Sequence, residues 1–339
     1  MPVDFLKVLA EKKNFVWPEL QSYLPKDGCL HSRMIRDYPE RGGKYVRSGL
    51  VMLACEAFGG DPMKAVKTAA AMEASQNWIL IHDDIEDDSD DRRGKPTLHK
   101  MYGSELAINA GDALHVLQWK MLADNRQVLG DAMMCKVLNE FYSILERTTL
   151  GQTIEMEWIK SNNFNFTEKD YYVISDSKTG LYTITGPMRL GAIIAGAQEH
   201  EMAALGKFGI PFGRAFQIQD DVLNLTAEQA KYGKEIGGDI LEGKRTLMVA
   251  HLLANTDGHE KQKVIEIFSK ERPKKTQEEM NWVLDMMRRK GSIDFGKRKS
   301  LEFAREAEQI FDREMGFLKD SPAKEALRAG IEFVVKRDL

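Results

Sequence analysis

The sequence predicts an all-α protein. Apolar residues recur at spacings of three and four over most of the chain, which is the period of a helix with a buried face. No segment shows the strict alternation of polar and apolar residues that a half-buried strand requires. The breaks between periodic segments are short and polar, and the chain has no flexible linker and no repeat of fixed period. A length of 339 residues suggests two domains at roughly 150 residues each, but these observations favour a single all-α domain over residues 1–339.

The clearest helix start lies at Asp61-Pro62, where a capping aspartate precedes a proline at the first helical position. The apolar residues that follow predict a helix buried over much of its surface, which runs into an acidic cluster and is broken at 92–96. Glycines at 42 and 43 are predicted to open an earlier helix. The other predicted helices cover 105–122, 130–158, 168–197, 201–226, 244–255, 276–289, 294–314 and 322–336.

Composition excludes several classes of protein. The formal net charge is −4, so the sequence predicts no basic surface for nucleic acid. Three cysteines without CxxC spacing argue against a disulfide framework or a zinc site and predict a reducing, cytoplasmic location. The first residues lack the apolar core of a signal peptide, and no apolar run approaches the roughly 18 residues of a membrane span. We therefore expect a soluble protein without an integral membrane segment.

An acidic cluster follows the strongly apolar run 78–81. Seven of the nine residues from Asp83 to Asp91 are acidic. On a helix Asp83 and Asp87 share a face at a spacing of four, so their charges repel unless a cation lies between them. A solvated acidic helix end is the usual explanation of such a run, but the preceding apolar residues place this one at the rim of a core. Magnesium, which binds one or two carboxylates together with phosphate oxygens, would offset the repulsion, and Asp84 is a further candidate ligand.

Two arginines, Arg92 and Arg93, follow the cluster and could bind phosphate oxygens in a bidentate way. A second acidic pair, Asp220-Asp221, lies in another predicted helix beside large apolar residues. A buried carboxylate needs a partner, and two such pairs could hold a magnesium cluster from opposite walls of a cavity. Gln217 shares a helix face with Asp220.

Cationic residues occur where a polyanion would need them. Lysines lie at Lys178, Lys234 and Lys244, and the segment from Gly42 to Arg47 combines two glycines with Lys44 and Arg47 before a helix. Unpaired amides at a helix start bind anions, although the spacing of a P-loop is absent. Each of these lysines taken alone is most simply a solvated surface residue.

Taken in order, five separated motifs resemble those of the trans-isoprenyl diphosphate synthases over about residues 40–250. They are Gly43-Lys44-x-x-Arg47, Asp83-Asp84-x-x-Asp87 with Arg92-Arg93-Gly94, Lys178-Thr179, Phe216-Gln217-x-x-Asp220-Asp221 and Gly243-Lys244, with supporting matches at Asn109–Asp112 and Gly151-Gln152-x-x-Glu155. The resemblance implies a helical bundle around a deep central cavity, a homodimer, and condensation of isopentenyl diphosphate with an allylic diphosphate.

The resemblance also implies roles for individual residues. Magnesium ions bridged to the allylic diphosphate would be coordinated by Asp83, Asp87 and Asp220, with Asp84 and Asp221 in support. The same diphosphate would contact Arg92, Lys178 and Lys234, and Lys244 would close over the site from the loop that follows the second motif. The diphosphate of isopentenyl diphosphate would be bound by Lys44, Arg47, Gln76 and Arg93, and Thr179 and Gln217 would line the space where the two substrates meet.

Three positions depart from the family pattern. Gln76 lies where longer-chain members often have histidine, and both side chains can donate to phosphate. Asn224 replaces the third aspartate of the second motif. Asp90 and Asp91 precede Arg92, where an apolar residue is common, and the sequence offers no account of them.

Product length is predicted from the residues just before the first motif. Trp78 lies five residues before Asp83, roughly 7–8 Å along the same helix, where a bulky side chain would form a floor beneath a growing chain. Ile79 follows it, whereas farnesyl-producing members of one subclass have aromatic residues at both positions. The sequence therefore favours geranylgeranyl diphosphate, with farnesyl diphosphate as the alternative and dimethylallyl, geranyl or farnesyl diphosphate as the starter. Ordinary core packing is the competing explanation of Trp78.

Three other functions were weighed. A terpene cyclase would need no second diphosphate site, a non-catalytic partner subunit typically lacks the acidic motifs, and a helical module with a metal-loaded surface would not explain the lysines.

Overall fold

A computed structural model of the chain describes residues 3–227 and 236–336. Helices dominate these residues, which confirms the predicted all-α class. The α-helices are α1 (Phe5–Tyr23), α2 (Leu30–Arg41), α3 (Val46–Ala57), α4 (Val66–Glu86), α5 (Leu98–Tyr102), α6 (Ser104–Asp124), α7 (Arg126–Lys160), α8 (Glu168–Ser175), α9 (Gly186–Ala195), α10 (Glu199–Thr226), α11 (Gly238–Glu242), α12 (Leu247–Ala254), α13 (Gly258–Ser269), α14 (Gln277–Arg289), α15 (Ser292–Glu314) and α16 (Pro322–Val335). A π-helix, Asp176–Thr185, joins α8 to α9, and 3-10 turns occupy Pro62–Ala65 and Arg272–Lys274.

The predicted start of the α4 segment is confirmed with one difference. The side chain of Asp61 accepts a hydrogen bond from the backbone N–H of Met63 at 2.9 Å. Pro62 occupies the first turn, which is a 3-10 turn, and the α-helical hydrogen bonds begin only at Val66. The cap therefore lies where the sequence predicts it, one turn before the α-helix proper.

Three predicted helix boundaries differ from the structure. The single helix predicted over 168–197 is divided by the π-helix, which carries Lys178 and Thr179. The helix predicted over 244–255 begins at Leu247, so Lys244 lies in the segment before it. Gly130, with φ 73° and ψ 168°, interrupts α7 near its start and explains why the periodic pattern begins there. The sequence pattern does not predict the helices α1, α2, α5, α11 and α13.

A short antiparallel hairpin, rather than an irregular break, follows the acidic cluster. Strand β1 (Asp91–Arg92) pairs with β2 (Lys95–Pro96), and the two residues of the loop have positive φ, 53° at Arg93 and 74° at Gly94. Two-residue hairpin turns commonly have both loop residues in the left-handed backbone conformation, as here. The strands are too short for a pattern of alternating residues to show in the sequence.

Two hydrophobic clusters form the core. One contains the inner faces of α10 and the C-terminal helices, and the other contains those of α4, α6 and α7. Helix α3 contributes Leu50 and Leu53 to the first cluster and Val51 and Met52 to the second. It also packs closely on α9, since a Cβ atom on Gly191 would lie 2.1 Å from the carbonyl oxygen of Val51. Within the described residues, no helix is both long and apolar enough to cross a membrane.

Candidate functional site

A cavity of about 550 Å³ lies between the two clusters. Its walls come from α4, α7, the π-helix, α10 and the segments before α3 and α12. Most of the residues predicted from the sequence line it: Lys44, Arg47, Gln76, Ile79, Asp83, Arg92, Arg93, Lys178, Thr179, Gln217, Asp220, Asp221 and Lys244. Lys234 lies outside the described residues, and Trp78, Asp84 and Asp87 are not part of the lining.

The first acidic motif is already paired with lysines. The Nζ atom of Lys178 lies 2.7 Å from Oε2 of Glu155 and 3.5 Å from Oδ1 of Asp83. These carboxylates raise the pKa of Lys178 in spite of its burial, so the lysine is a cation. Gln152 donates to Glu86 at 2.6 Å and approaches Asp83 at 3.4 Å. The sequence motif Gly151-Gln152-x-x-Glu155 was the signal for these two contacts.

Asp87 lies one turn after Asp83 and faces the segment before α12. Lys244 donates to its Oδ2 at 2.9 Å and lies 2.5 Å from Oε2 of Glu242. Burial, assisted by the charges of Glu242 and Asp83, raises the pKa of Asp87 to about 8, although Lys244 opposes the shift. This end of the site therefore favours an additional cation.

Asp84 has a different environment. Its carboxylate is fully buried, accepts hydrogen bonds from Nε and Nη2 of Arg92, and accepts another from the hydroxyl of Tyr38 at 2.5 Å. With both oxygens bonded away from the cavity, Asp84 holds Arg92 in the cavity wall. The expectation that Asp84 supports metal binding stays a prediction, and in this placement its support would be indirect.

The second motif forms a connected hydrogen-bond network on the opposite wall. Thr179 donates to Oε1 of Gln217, and Nε2 of Gln217 donates to Asp221 at 2.6 Å. The hydroxyl of Tyr171 donates to the other oxygen of Asp221 at 2.9 Å. Burial raises the pKa of Asp221 to about 7, and these two hydrogen bonds oppose the shift. Asp221 therefore supports Gln217, while its neighbour Asp220 lines the cavity.

Asn224, the departure from the family pattern, has a structural partner. Its side-chain oxygen accepts from the backbone N–H of Asp239 at 3.1 Å, and its carbonyl accepts from that of Gly237 at 2.7 Å. The amide thus holds the start of α11 against α10.

A second group of cations lies at another part of the cavity. Arg47 donates to Thr183 at 2.7 Å and lies over the ring of Tyr182. Arg93 donates to the carbonyl of Tyr38 at 2.9 Å and approaches Asn77 at 3.3 Å. In the part of the chain that the structure describes, Nε of Arg47 and Oε1 of Gln76 are buried without a hydrogen-bond partner. The N–H of Arg47 is therefore available to donate to a group bound in the cavity.

Glu73 is a cavity residue that sequence reasoning missed. It is 4% exposed and accepts from Ser48 at 3.0 Å. Burial raises its pKa, while the positive charges of Arg93 and Arg47 lower it. An acid in the largely apolar first half of α4, three residues before Gln76, was the available signal.

The later acids of the first cluster face away from the cavity. Lys100 of α5 lies 2.7 Å from Asp88 and 3.2 Å from Asp90, and Arg272 approaches Asp90 at 4.0 Å. Asp91 is exposed in β1. Asp90 thus ties the hairpin to its neighbours.

Trp78 packs between α4 and α6 instead of lining the cavity. Its Nε1 donates to Gln118 at 2.7 Å, and its ring lies 4.8 Å from that of His115. Successive helical residues are about 100° apart, so Ile79 faces the cavity while Trp78 does not. The expected direct contact between Trp78 and a growing chain is therefore not seen.

No group of three His, Cys, Asp or Glu side chains among residues 3–227 and 236–336 is arranged to hold a metal ion. The opposed carboxylates of Asp83 and Asp220 belong to different walls. A metal here would need ligands from a bound molecule as well as from the protein.

Comparison with known proteins gives a consistent result. A family model described as polyprenyl synthetase matches residues 30–287. The chain is 34% identical over 302 residues to a short chain isoprenyl diphosphate synthase of Methanothermobacter thermautotrophicus, covering 88% of this chain and 87% of that protein. It is 31% identical over 296 residues to a geranylgeranyl diphosphate synthase of Sulfolobus acidocaldarius, with 87% of each covered.

The structure is also similar to solved ones. Geranylgeranyl pyrophosphate synthetase from Pyrococcus horikoshii superimposes with a TM-score of 0.86 at 32% identity, covering 98% of each chain. Geranylgeranyl pyrophosphate synthase from Corynebacterium glutamicum, complexed with isoprenyl diphosphate and magnesium, has a TM-score of 0.87 at 24% identity, covering 99% of this chain and 100% of that one. At that identity the second likeness concerns the fold alone.

Proposed function

Because this chain belongs to the polyprenyl synthetase family and is a trans-prenyltransferase with the isoprenoid synthase fold, we propose that it makes geranylgeranyl diphosphate. Its substrates are isopentenyl diphosphate and an allylic diphosphate, which are joined head to tail. Farnesyl diphosphate is the alternative product.

One observation carries the proposal: a single cavity holds two separate sets of cations. Lys178, Lys244 and Arg92 lie beside the acidic motifs. Arg47, Arg93 and Lys44 form the other set, and Gln76, whose amide N–H groups can donate to phosphate, lines the cavity beside them. Two diphosphate groups require two such sets, whereas ionisation of one substrate by a cyclase requires only the first.

Magnesium suits the acidic side chains that lie beside the first set of cations. Burial raises the pKa of Asp87 to about 8 and that of Asp221 to about 7. The positive charges around these carboxylates are therefore not sufficient to keep both of them ionised. We propose that Asp83, Asp87 and Asp220 hold magnesium, with phosphate oxygens completing its coordination. When bound, the metal neutralises the negative charge that grows on the departing diphosphate.

The protein's own residues account for the remaining requirements. Lys178, Lys244 and Arg92 orient the allylic diphosphate and stabilise it as a leaving group, and we assign Lys234 to the same task. The hydrogen bond between Thr179 and Gln217 shapes the wall where the allylic carbon meets the double bond of isopentenyl diphosphate. The new carbon–carbon bond forms as the allylic carbon–oxygen bond breaks, and the proton lost from isopentenyl diphosphate passes to the released diphosphate.

Water must be excluded while the allylic group is cationic, because it would capture that group as an alcohol. Ile79, Leu80 and Phe216 supply apolar surface to the lining. We propose that Ile79 limits chain growth directly and that Trp78, behind it, fills the space into which a longer product would extend.

A homodimer is proposed from the exposed surface of α6 and α7. Ile108 and Val116 on α6 are 44% and 68% exposed, and Tyr142 and Leu150 on α7 are each 57% exposed. Large apolar side chains concentrated on two neighbouring helices are typical of a protein interface. Light scattering after size-exclusion chromatography should give twice the mass of the chain, and Val116→Glu should shift the protein towards the monomer.

A cytoplasmic location is proposed because all three cysteines are free.

Incubation with magnesium, labelled isopentenyl diphosphate and each of dimethylallyl, geranyl and farnesyl diphosphate tests the activity. We expect elongation to a twenty-carbon product, identified by chromatography after dephosphorylation. A fifteen-carbon product would select the alternative, and no elongation from any starter would refute the synthase.

A further inference from the structure

The cavity-lining residues of the π-helix region recur at a spacing of four. Ile174 and Ser175, then Lys178 and Thr179, then Tyr182 and Thr183 face the cavity in successive pairs. On an α-helix, side chains four residues apart differ in direction by about 400° about the helix axis, which is roughly 40° more than a full turn. Each pair would therefore point roughly 40° away from the pair before it. The wider turn of Asp176–Thr185 removes this drift and keeps Lys178 and Thr179 in line with their neighbours.

Three contacts hold the π-helix against α10. Arg214 donates to both oxygens of Asp176, at 2.8 and 2.7 Å. A Cβ atom on Gly213 would lie 2.3 Å from the Cα atom of Gly180, so the two backbones touch. The hydrogen bond from Thr179 to Gln217 is the third contact and lies inside the cavity.

Arg214 is itself fixed from the outer side. Its guanidinium lies 4.6 Å from the centre of the Tyr172 ring and 5.3 Å from that of Phe303. Arg214 does not line the cavity. A bidentate arginine–carboxylate pair restricts the relative orientation of the two side chains as well as their distance. Such a pair can therefore fix how one helix is aligned along another.

We propose that Arg214 is a positioning residue for the prenyl transfer. Through Asp176, it holds the first turn of the π-helix on α10 and thereby aims Lys178 and Thr179 into the cavity. This inference deepens the proposed function and rests on it. Without the Arg214–Asp176 pair, the π-helix loses one of the contacts that oppose its relaxation to ordinary α-helical turns. That relaxation would rotate the side chains of Lys178 and Thr179 out of line with the neighbouring cavity residues.

The chain contains a matched control. Arg189 forms an equally bidentate pair with Glu140, at 2.6 and 2.9 Å, and this pair joins α9 to α7 without lining the cavity. Arg214→Gln and Arg189→Gln thus remove the same kind of interaction at similar depth. Each full-length variant is compared with the wild type for melting temperature, kcat and KM for both substrates, and hydrogen exchange of the amides of 176–185. Arg214→Lys, which keeps the charge but loses the fork geometry, is a third variant.

We expect Arg214→Gln to lower kcat/KM for the allylic substrate on the order of 100-fold and to speed exchange in 176–185. Arg189→Gln should change the melting temperature to a similar degree and leave kcat/KM within about threefold. Arg214→Lys should recover part of the loss. Unchanged activity in Arg214→Gln, or equal losses in Arg214→Gln and Arg189→Gln, would overturn the inference. An inactive wild type would instead contradict the proposed function.

Discussion

The ammonium group of Lys244 lies 2.9 Å from the carboxylate of Asp87, although 157 residues separate them in the chain. It is also the partner of Glu242, and all three side chains are largely buried. The segment before α12 is therefore joined to the first acidic motif by a lysine that stands between two acids.

Replacing Lys244 by Gln should lower the free energy of unfolding of the ligand-free protein by about 3–5 kcal/mol, because two buried carboxylates then lose their shared cation. Denaturation in urea measures the change. Lys270→Gln is the control, since Lys270 also lies between two acids, Glu266 and Glu279, but at the surface. The control should change the free energy of unfolding much less, because solvent screens the charge of Lys270. Equal effects would show that the buried group carries no special stabilisation.

Magnesium and inorganic pyrophosphate should stabilise the protein jointly. No group of three acids within the described residues holds a metal alone, and a diphosphate alone would meet the negative charges of Asp83 and Asp87. The rise in melting temperature with both ligands should therefore exceed the sum of the two separate rises. EDTA should abolish the effect of pyrophosphate, and the variant Asp83→Asn should reduce it. A full shift with pyrophosphate in EDTA would exclude the proposed metal role.

Ile79→Ala should lengthen the product, because the side chain lines the cavity and its loss extends the space for the prenyl chain. Trp78→Ala should also lengthen it by opening the space behind Ile79, with a larger loss of stability, about 3–5 kcal/mol, since a buried aromatic residue is removed. Chromatography of the products and urea denaturation are the measurements. An unchanged product from Trp78→Ala would show that the ring serves only to pack α4 on α6.

Cys55 should be inert in the folded protein. It is fully buried, and burial raises the pKa of its thiol to about 12. In the double variant Cys29→Ser, Cys135→Ser, a thiol reagent should react only after the protein is unfolded. Because the folded pKa lies above the usual value of 9.0, the folded state retains the proton longer, and stability should fall as pH rises from about 9 to 12. Rapid labelling at neutral pH would contradict the buried placement.

The whole chain should unfold in one transition, as expected for a single domain over residues 1–339. Leu50 and Val51, which are adjacent on α3, belong to different hydrophobic clusters, so neither cluster can lose α3 without damage to the other. Circular dichroism and tryptophan fluorescence should give coincident urea curves. Two separated transitions would show that the clusters unfold independently.

The sequence predicted the helical class because it depends on local patterns, whereas most residues of the cavity lining were named through the resemblance of five motifs to a known family. The spacing of Asp83 and Asp87 and the cap at Asp61 are visible within one or two helical turns. Contacts between distant segments could not be read in this way. Tyr38 binds Asp84 across 46 residues, and nothing near either residue indicates the other.

The errors have physical causes of the same kind. The π-helix at 176–185 packs closely on α10 at Gly213, and the period of the segment reveals neither the π-helix nor this contact. Trp78 is five residues from Asp83, and distance along the helix does not show that its side chain points away from the cavity. Glu73 was overlooked because its partner charges, Arg47 and Arg93, come from elsewhere in the chain.

The left-handed turn at Arg93-Gly94 gives two neighbouring arginines different partners in the cavity wall. In an extended strand, two consecutive side chains would point to opposite faces, yet Arg92 and Arg93 both reach the cavity. The mirror-image turn between β1 and β2 makes this possible, and Arg92 is bound to Asp84 while Arg93 is bound to Tyr38 and Asn77. Under the proposed function, the handedness of the chain at this turn would therefore bring the two neighbouring cations to different substrates. Inserting a single residue into the loop would exchange or misdirect the two guanidinium groups while leaving every charge in the site unchanged.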